Sequence, residues 1–204
     1  LVGAGVYYTS VGQDTRLLLG KDVFVAGGGN SAGQAVVHLA RSARKVTLIV
    51  RGGALGERMS DYLVQEIHRL PNVDVLLHTE IVDCGGGYVL EELTMRRTRG
   101  GETQSWTAPA RMLFVLIGAE PRTSWLDGSV VRDRGGFILT GEDLTTIGAR
   151  CGDRWARRYE TSLPGVFAVG DVRAGSVKRV ASAVGEGAAA VAQIHEYLAA
   201  DAPR

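Results

Sequence analysis

The chain has 204 residues, of which 45% are apolar and 22% charged, and its formal net charge is +1. This length can bury a sizeable core in one or two domains, and the near-balanced charge gives no electrostatic reason to expect nucleic acid or an anionic membrane as a partner. Cys84 and Cys151 are the only cysteines, which excludes a disulfide framework, a CxxC pair and a cysteine-rich zinc site within this sequence. The 4 histidines are scattered and form no metal-binding pattern. No apolar run approaches the roughly 20 residues that span a bilayer, so we expect a cytoplasmic protein.

Short apolar runs, each followed by a turn or a helix, organise the first part of the chain. These runs are nearly unbroken, as in strands buried on both faces of a parallel sheet. They predict strands at residues 21–26, 45–51, 73–77 and 112–117. Amphipathic helices are predicted at 31–43 and 59–70, the second with Ser60 as its N-cap and Pro71 just past its end. Residues 79–107 alternate in the manner of antiparallel hairpins.

The remainder of the chain has a looser pattern, and we place a domain boundary near residue 119. Strands are predicted at 137–139 and 166–169, and a surface loop or short helix at 155–159. A long helix is predicted at about 177–199, where apolar side chains recur at helical spacing. The order of strands and helices predicts an α/β protein with a mainly parallel sheet.

Glycine is enriched, at 28 of 204 residues against a usual frequency of about 7%. One cluster stands between a predicted strand and a predicted helix, in the Gly-x-Gly-x-x-Ala pattern of a Rossmann-like dinucleotide site. Its residues are Gly27, Gly28, Gly29, Asn30, Ser31 and Ala32. Gly27 would permit the tight turn, Gly29 would let the backbone approach a pyrophosphate, and Ala32 would let the helix pack closely. Asn30 and Ser31 can cap the helix. The alternative is a tight turn that binds no ligand.

The residue at the end of the second strand indicates which dinucleotide would bind. An acidic residue at this position usually accepts hydrogen bonds from the ribose hydroxyls of NAD or FAD. Here the strand ends at Arg51, and the first acid after it is Glu57. A guanidinium suits the 2′-phosphate of NADP, with Arg58 as a second candidate contact; a solvated arginine is the alternative. Ile117 and Gly118 end the last strand of this part, where a doubly wound sheet binds its ligand, unless Gly118 is only a turn residue.

A second candidate site lies in the last part of the chain. Gly170 and Asp171 follow a predicted strand, and the long helix after them begins around Lys178, Arg179 and Val180. An aspartate in this position can accept hydrogen bonds from a ligand hydroxyl, and the start of the helix can face an electron-rich ring. The alternative is an aspartate that only caps or turns the chain.

Two further segments resemble a known family. Residues 161–172 (TSLPGVFAVGDV) resemble the flavin-binding signature of pyridine nucleotide–disulfide oxidoreductases, and residues 114–121 (FVLIGAEP) are similar to the strand that closes their NADPH domain. Together with the turn at Gly27 and with Arg51, these motifs match the low-molecular-weight thioredoxin reductase group in order and spacing.

The resemblance implies two domains and two cofactors. Residues 1–118 would be the NADP-binding domain, and residues 119–204 would be the C-terminal part of an FAD-binding domain. Asp171 would contact the ribityl chain of FAD, and residues 178–180 would lie beside the flavin ring. The implied function is an NADPH-dependent flavoprotein oxidoreductase that transfers hydride from NADPH to flavin, within a parent protein that forms a homodimer.

Two departures from the group limit this expectation. The CxxC of the group precedes the glycine motif, but the corresponding residues 3–8 contain no cysteine, so direct disulfide exchange lacks its thiolate. The N-terminal flavin unit, with a glycine motif of its own, is also missing. We therefore expect a fragment of a longer chain, which by itself would bind FAD weakly or not at all. The electron acceptor, a small molecule or a protein, stays open, and the alternative function is a redox-inactive nucleotide sensor.

Overall fold

The computed structural model describes residues 1–8 and 18–201 and divides the chain into two compact units, Leu1–Gly118 and Ala119–Arg204. The division falls where the sequence predicts a boundary, while the assignment of one unit to NADP and the other to FAD stays a prediction. Residues 9–17 and 202–204, which belong to the two predicted domains, lie outside the described residues.

Strands dominate the first unit, and helices occur in both. In chain order the strands are β1 (Val6–Tyr7), β2 (Asp22–Ala26), β3 (Lys45–Ile49), β4 (Val73–Leu76), β5 (Thr79–Gly85), β6 (Glu92–Arg99), β7 (Glu102–Pro109) and β8 (Leu113–Val115). The helices are α1 (Asn30–Ala40), α2 (Asp61–Arg69), α3 (Glu142–Thr146) and α4 (Val180–Asp201). The predicted strands and helices of the first unit are present, with ends that differ from the prediction by a few residues.

The first unit is built on a parallel sheet. Among the described residues, five strands pair in the order β1-β8-β2-β3-β4, and every neighbouring pair is parallel. The remaining three strands form an antiparallel sheet in the order β5-β6-β7. Both features agree with the predicted α/β class and with the predicted hairpins at 79–107.

The parallel sheet is buried on both faces, which explains its unbroken apolar strands. In β2, Val23 and Val25 are fully buried in the cluster that contains the side chains of α1 and α2. Phe24, which points to the opposite face, belongs to the cluster that contains Leu93 and Met95 of the antiparallel sheet. One layer of helices and one small sheet therefore cover the two faces of the central sheet.

The second unit has less regular structure than its sequence predicts. The strands expected at 137–139 and 166–169 are wrong: Ile138 makes single bridges to Arg132 and Arg173, and Phe167 makes one to Glu160. A short apolar run forms a strand only where an adjacent segment pairs with several of its residues in succession. Among the described residues of this unit, these runs make single bridges instead. The loop predicted at 155–159 is present.

A buried carboxylate organises the irregular backbone of this unit. Glu160 is completely buried, and its two oxygens accept hydrogen bonds of 2.7 Å from the Arg154 guanidinium. They also accept the backbone N–H groups of Arg157 (3.1 Å) and Gly165 (3.0 Å). Burial by itself would raise the pKa of Glu160, but these hydrogen bonds outweigh it and lower the pKa to about 2. The charge is thus paired and fully hydrogen-bonded, as a buried charge must be.

The stability of the second unit should depend on Glu160 in acid. The native pKa of about 2 lies below the ordinary value of 4.5, so the unfolded chain binds more protons between these values. The stabilisation is therefore present above about pH 4.5 and is lost as the pH falls toward 2. Glu160→Gln should cost about 3 kcal/mol in the free energy of unfolding at pH 7 and remove this pH dependence.

Urea unfolding followed by tryptophan fluorescence measures both effects, because Trp125 and Trp155 lie in this unit. Glu120→Gln is the control, since Glu120 is exposed and has no hydrogen-bond partner among the described residues. A Glu160→Gln protein as stable as this control at pH 7 would contradict the assignment.

Candidate functional site

The candidate site of the first unit lies where three parallel strands end side by side. The N–H of Gly27, just after β2, donates to the carbonyl of Ile49 at the end of β3 (3.0 Å). The N–H of Leu116, just after β8, donates to the carbonyl of Ala26 (2.7 Å). This carboxyl-terminal edge is where open parallel sheets bind ligands, and the glycine-rich turn begins there.

Gly27 is required by the protein itself. Its φ is +146°, a backbone conformation that side chains rarely adopt. A Cβ at this position would overlap the backbone carbonyl of Leu116 and lie 3.1 Å from the Cβ of Ala32. The tight turn and the close helix packing that the sequence predicts for Gly27 and Ala32 are both present.

Gly28 and Gly29 meet different surroundings. A Cβ on Gly28 would lie 3.1 Å from the Val50 side chain, whereas a Cβ on Gly29 would have no atom closer than the Arg58 carbonyl at 3.8 Å. Gly29 also has an ordinary extended backbone (φ −101°, ψ −178°). Nothing in the described protein therefore requires a glycine at position 29. The open space beside it fits a ligand group that approaches the backbone closely.

The start of α1 offers N–H groups to that space. The first helical hydrogen bond runs from the N–H of Gly33 to the carbonyl of Gly29 (3.1 Å), so the preceding N–H groups lie outside the helical ladder. An anion bound next to Gly29 would face these donors and the positive end of the helix dipole. A pyrophosphate has the negative charge that this position would attract.

The predicted capping of α1 by Asn30 and Ser31 is wrong. The cap position is Gly29, and no side chain forms a capping hydrogen bond there. Asn30 instead accepts the N–H of Ser60 on its Oδ1 (2.8 Å), which ties the start of α1 to the start of α2. Ser31 is exposed. The Asn30 side chain, which the local sequence predicts as a cap, is therefore used in a tertiary contact with Ser60.

Two arginines near this edge have no protein partner in the described chain. Arg51 follows β3 and Arg58 precedes α2, and both side chains are exposed, without a hydrogen bond or ion pair to any described residue. Ile117 is 66% exposed, and Gly118 has φ +100° with no atom within 4 Å of its Cβ position. The structure thus brings the predicted residues of the first unit to one edge of the sheet, and it leaves the side chains of Arg51 and Arg58 without a partner among the described residues.

The second unit holds its own candidate residues on a fixed elbow of the chain. Gly170 has φ +71° and donates its N–H to Glu186 of α4 (2.7 Å). Glu186 also pairs with Arg173 at 2.6 Å, and hydrogen bonding to this arginine lowers the pKa of Glu186. The elbow leaves the next residue, Asp171, exposed and available to a ligand hydroxyl.

Lys178 lies beside that elbow. Its ammonium donates to the backbone carbonyl of Asp171 (2.9 Å) and lies 3.9 Å from the ring centre of Phe137. The long helix predicted at about 177–199 is present as α4, but it starts at Val180. Lys178 and Arg179 precede it in a tight turn, in which the N–H of Arg179 donates to the carbonyl of Val177 at 2.7 Å. Val180 itself is 83% exposed. Gly170, Asp171 and Lys178 are therefore brought together, with Arg179 and Val180 next to them in the chain.

Sequence reasoning misses two of these supporting side chains. Glu186 stands among small residues in the sequence of α4, with no motif that would single it out. Phe137 belongs to an apolar run that predicts a strand. Their partners lie 16 residues (Gly170) and 41 residues (Lys178) away in the chain. Periodicity reports which face of an element is apolar, and it contains no signal for such distant pairs.

The two cysteines are poorly suited to thiolate chemistry. Burial raises the pKa of the Cys84 thiol, and neighbouring Asp83 raises it further. Burial also raises the pKa of Cys151, which lies against Glu160. Neither thiol has the lowered pKa that marks a reactive cysteine. Among the described residues, no group of histidine, cysteine and carboxylate side chains could hold a metal ion, and no helix is long and apolar enough to cross a membrane.

Comparison with known proteins identifies the family. Residues 2–187 match the family described as pyridine nucleotide-disulphide oxidoreductase. This match covers most of the sequence, and the chain belongs to that family.

Individual relatives are longer than this chain. It is 29% identical over 205 residues to a thioredoxin reductase from Peptoclostridium acidaminophilum, covering 98% of this chain and 59% of the relative. It is 31% identical over 185 residues to an NADH dehydrogenase from Bacillus subtilis (strain 168), covering 91% of this chain and 33% of the relative. The crystal structure of a T. acidophilum thioredoxin reductase superimposes with a TM-score of 0.70 at 27% identity, over 96% of this chain and 58% of that one. The fold is thus similar to that of thioredoxin reductases, and the chain spans about 59% of the length of the first such relative.

The glycine turn provides a matched pair of substitutions. Gly27→Ala should lower the free energy of unfolding by about 1–3 kcal/mol, because of its positive φ and the overlap with Leu116. Gly29→Ala should lower stability less, since the position is open and only the preference of the helix cap for glycine over alanine is lost, but it should weaken pyridine nucleotide binding about tenfold by filling the space at the start of the helix. Thermal unfolding of both variants, and their titration with NADPH and NADH, test this pair. Equal nucleotide affinity in Gly29→Ala and the unsubstituted chain would show that no ligand approaches there.

Proposed function

We propose that this chain provides the NADP(H)-binding domain, and part of the flavin site, of an FAD-dependent oxidoreductase of thioredoxin-reductase type. Its reaction is hydride transfer from NADPH to flavin. The observation that supports this proposal best is an open glycine turn at the carboxyl edge of a parallel sheet, with an unpaired Arg51 at the position where an NAD site has an acid.

The proposed nucleotide site uses the residues of one edge. The backbone of Gly29 and the first N–H groups of α1 would bind the pyrophosphate. Arg51, with Arg58 nearby in the chain, would bind the 2′-phosphate by charge-assisted hydrogen bonds. Gly118 leaves room for the rest of the nucleotide. The family's description supports a pyridine nucleotide, and since one relative is named an NADH dehydrogenase, the proposed preference for NADPH rests on Arg51.

In this proposal, the flavin site is formed in part by residues 119–204 and in part by other residues of the parent protein. Asp171 would accept a hydrogen bond from a ribityl hydroxyl, and Lys178, Arg179 and Val180 would lie beside the ring. Bound FAD supplies the two-electron acceptor that this chain's own side chains lack. The ADP half of FAD needs a glycine turn of its own, with an acidic residue at the end of the next strand to bind the ribose. The turn at Gly27 does not meet this need, because the strand after it is followed by Arg51 and not by an acid. We therefore propose residues 1–118 as the NADP domain and 119–204 as the C-terminal part of an FAD domain, whose remainder belongs to a longer parent chain.

The electron acceptor differs from that of a dithiol enzyme. Residues 3–8 contain no CxxC, and the pKa values of both cysteine thiols are raised. Electrons would pass from flavin to a small molecule or to a protein without an intermediate dithiol in this chain. By resemblance to the same group, we propose that the parent protein is a cytoplasmic homodimer.

The nucleotide preference tests the proposal directly. The 204-residue chain should bind NADPH about tenfold or more tightly than NADH, since a charge-assisted hydrogen bond to a phosphate contributes about 1.5–3 kcal/mol. Arg51→Ala should abolish this preference, and Arg69→Ala, an exposed arginine on α2, should keep it. Fluorescence titration with both nucleotides measures the ratio. Equal affinity of the unsubstituted chain for both nucleotides would overturn the assignment.

The flavin chemistry requires the parent protein with its complete flavin domain. It should contain stoichiometric FAD, and its visible absorbance should bleach anaerobically on addition of NADPH, whereas the 204-residue chain alone should contain little flavin. Thioredoxin should be reduced slowly or not at all. Robust thioredoxin turnover that survives replacement of both Cys84 and Cys151 by Ser would show that a dithiol lies elsewhere. A colourless parent protein that still binds NADPH would instead identify a sensor.

A further inference from the structure

The backbone on both sides of Arg51 is fixed by the turn that precedes β5. The carbonyl of Val50 accepts the N–H of Thr79 (2.9 Å), and the carbonyl of Gly52 accepts the N–H of His78 (3.0 Å). His78 has a φ of +54°, a conformation in which histidine is more common than most residues. The residue before Arg51 and the residue after it are thus each tied to neighbouring structure by a main-chain bond.

On the other side of Arg51, the loop is held by the main-chain bond to Gly52, by the His78 ring, whose Cε1 lies 2.9 Å from the Cβ position of Gly53, and by the side chain of Glu57. Gly52 and Gly53 follow Arg51, and glycine has more conformational freedom to lose on folding than any other residue. Glu57 folds back onto these glycines: its Oε1 accepts the N–H of Gly53 (3.2 Å), and its Oε2 lies 2.8 Å from the Cβ position of Gly52. Leu55, which is buried, anchors the short turn that presents Glu57.

Glu57 is also the only acid in residues 45–60, so its position affects whether a phosphate can bind near Arg51. A carboxylate after the second strand could accept the ribose hydroxyls, as in NAD sites, or it could repel a 2′-phosphate. In this structure, however, the carboxylate is directed at the backbone of the loop that follows Arg51, and one of its oxygens is already used by Gly53.

We propose that Glu57 is a positioning residue for nucleotide specificity. Together with the His78 contacts, Glu57 holds Gly52 and Gly53 in one conformation; it thereby orients Arg51 toward the 2′-phosphate and increases the preference for NADPH over NADH, and this inference rests on the nucleotide site proposed above. Glu57 itself contacts neither the phosphate nor the ribose.

The test compares substitutions that separate hydrogen bonding from charge. Glu57→Ala removes the acceptor and should reduce the NADPH-to-NADH affinity ratio by about threefold to tenfold, the equivalent of one hydrogen bond. Glu57→Gln keeps an acceptor oxygen for Gly53 and should retain most of the ratio. Glu66→Ala, an exposed acid on α2, is the control. Fluorescence titrations of the full 204-residue chain with NADPH and NADH give the ratios, and thermal unfolding shows that each variant is folded.

Three results would overturn the inference. A ratio unchanged in Glu57→Ala would show that the loop does not need this side chain. A selective loss of NADH affinity in both variants would identify Glu57 as a ribose ligand. Tighter NADPH binding in Glu57→Gln would identify it as an electrostatic barrier to the phosphate.

Arg51→Ala in the same series separates failure of the inference from failure of the proposed function. If this variant loses the NADPH preference while Glu57→Ala keeps it, only the role of Glu57 is wrong. If the unsubstituted chain shows no preference and Arg51→Ala changes nothing, the nucleotide assignment itself is wrong, and the inference falls with it.

Discussion

The close approach of the Gly27 backbone to the carbonyl of Leu116 is the constraint on which the first unit depends. It allows β2 to turn directly into α1 at the level where β8 ends, with no side chain between them. The helix can then begin against the sheet, with its free N–H groups at the carboxyl edge. The open positions at Gly29 and Gly118 lie at the same edge, since a Cβ at Gly29 would have no atom closer than 3.8 Å and one at Gly118 none within 4 Å.

Both edges of the parallel sheet hold charged side chains. At the amino-terminal edge, Asp22 pairs with Arg44 at 2.7 Å and Asp74 pairs with Lys45 at 2.6 Å. These exposed pairs contribute little stability, and Lys21 and Arg111 at the same edge have no partner among the described residues. At the carboxyl edge, Arg51 has no protein partner among the described residues. Arg51 is distinguished by its position, because the carboxyl edge is where a parallel sheet binds its ligand.

In the second unit, buried or half-buried carboxylates accept backbone N–H groups that the neighbouring strand of a sheet would otherwise accept. Glu160 and Glu186 each accept a backbone N–H from a glycine, Gly165 and Gly170 respectively, while an arginine neutralises the charge. Each glycine has a positive φ, so each carboxylate holds a turn that a strand could not make. The elbow that exposes Asp171 is one of these two turns, which links the stability of this irregular unit to the geometry of its candidate site.

Residue types and their local spacing were enough to predict the parallel sheet, the glycine turn and the missing acid at Arg51. They also placed Gly27 and Ala32 correctly, since a tight turn into a helix requires small residues at those two positions. The folded chain was needed to see that Asn30 binds Ser60 rather than capping α1, that 166–169 is not a strand, and that Glu57 faces the loop after Arg51. Hydrogen-bond partners and neighbouring ladders are chosen in three dimensions, because an isolated apolar run or polar side chain has the same local pattern whichever partner it meets.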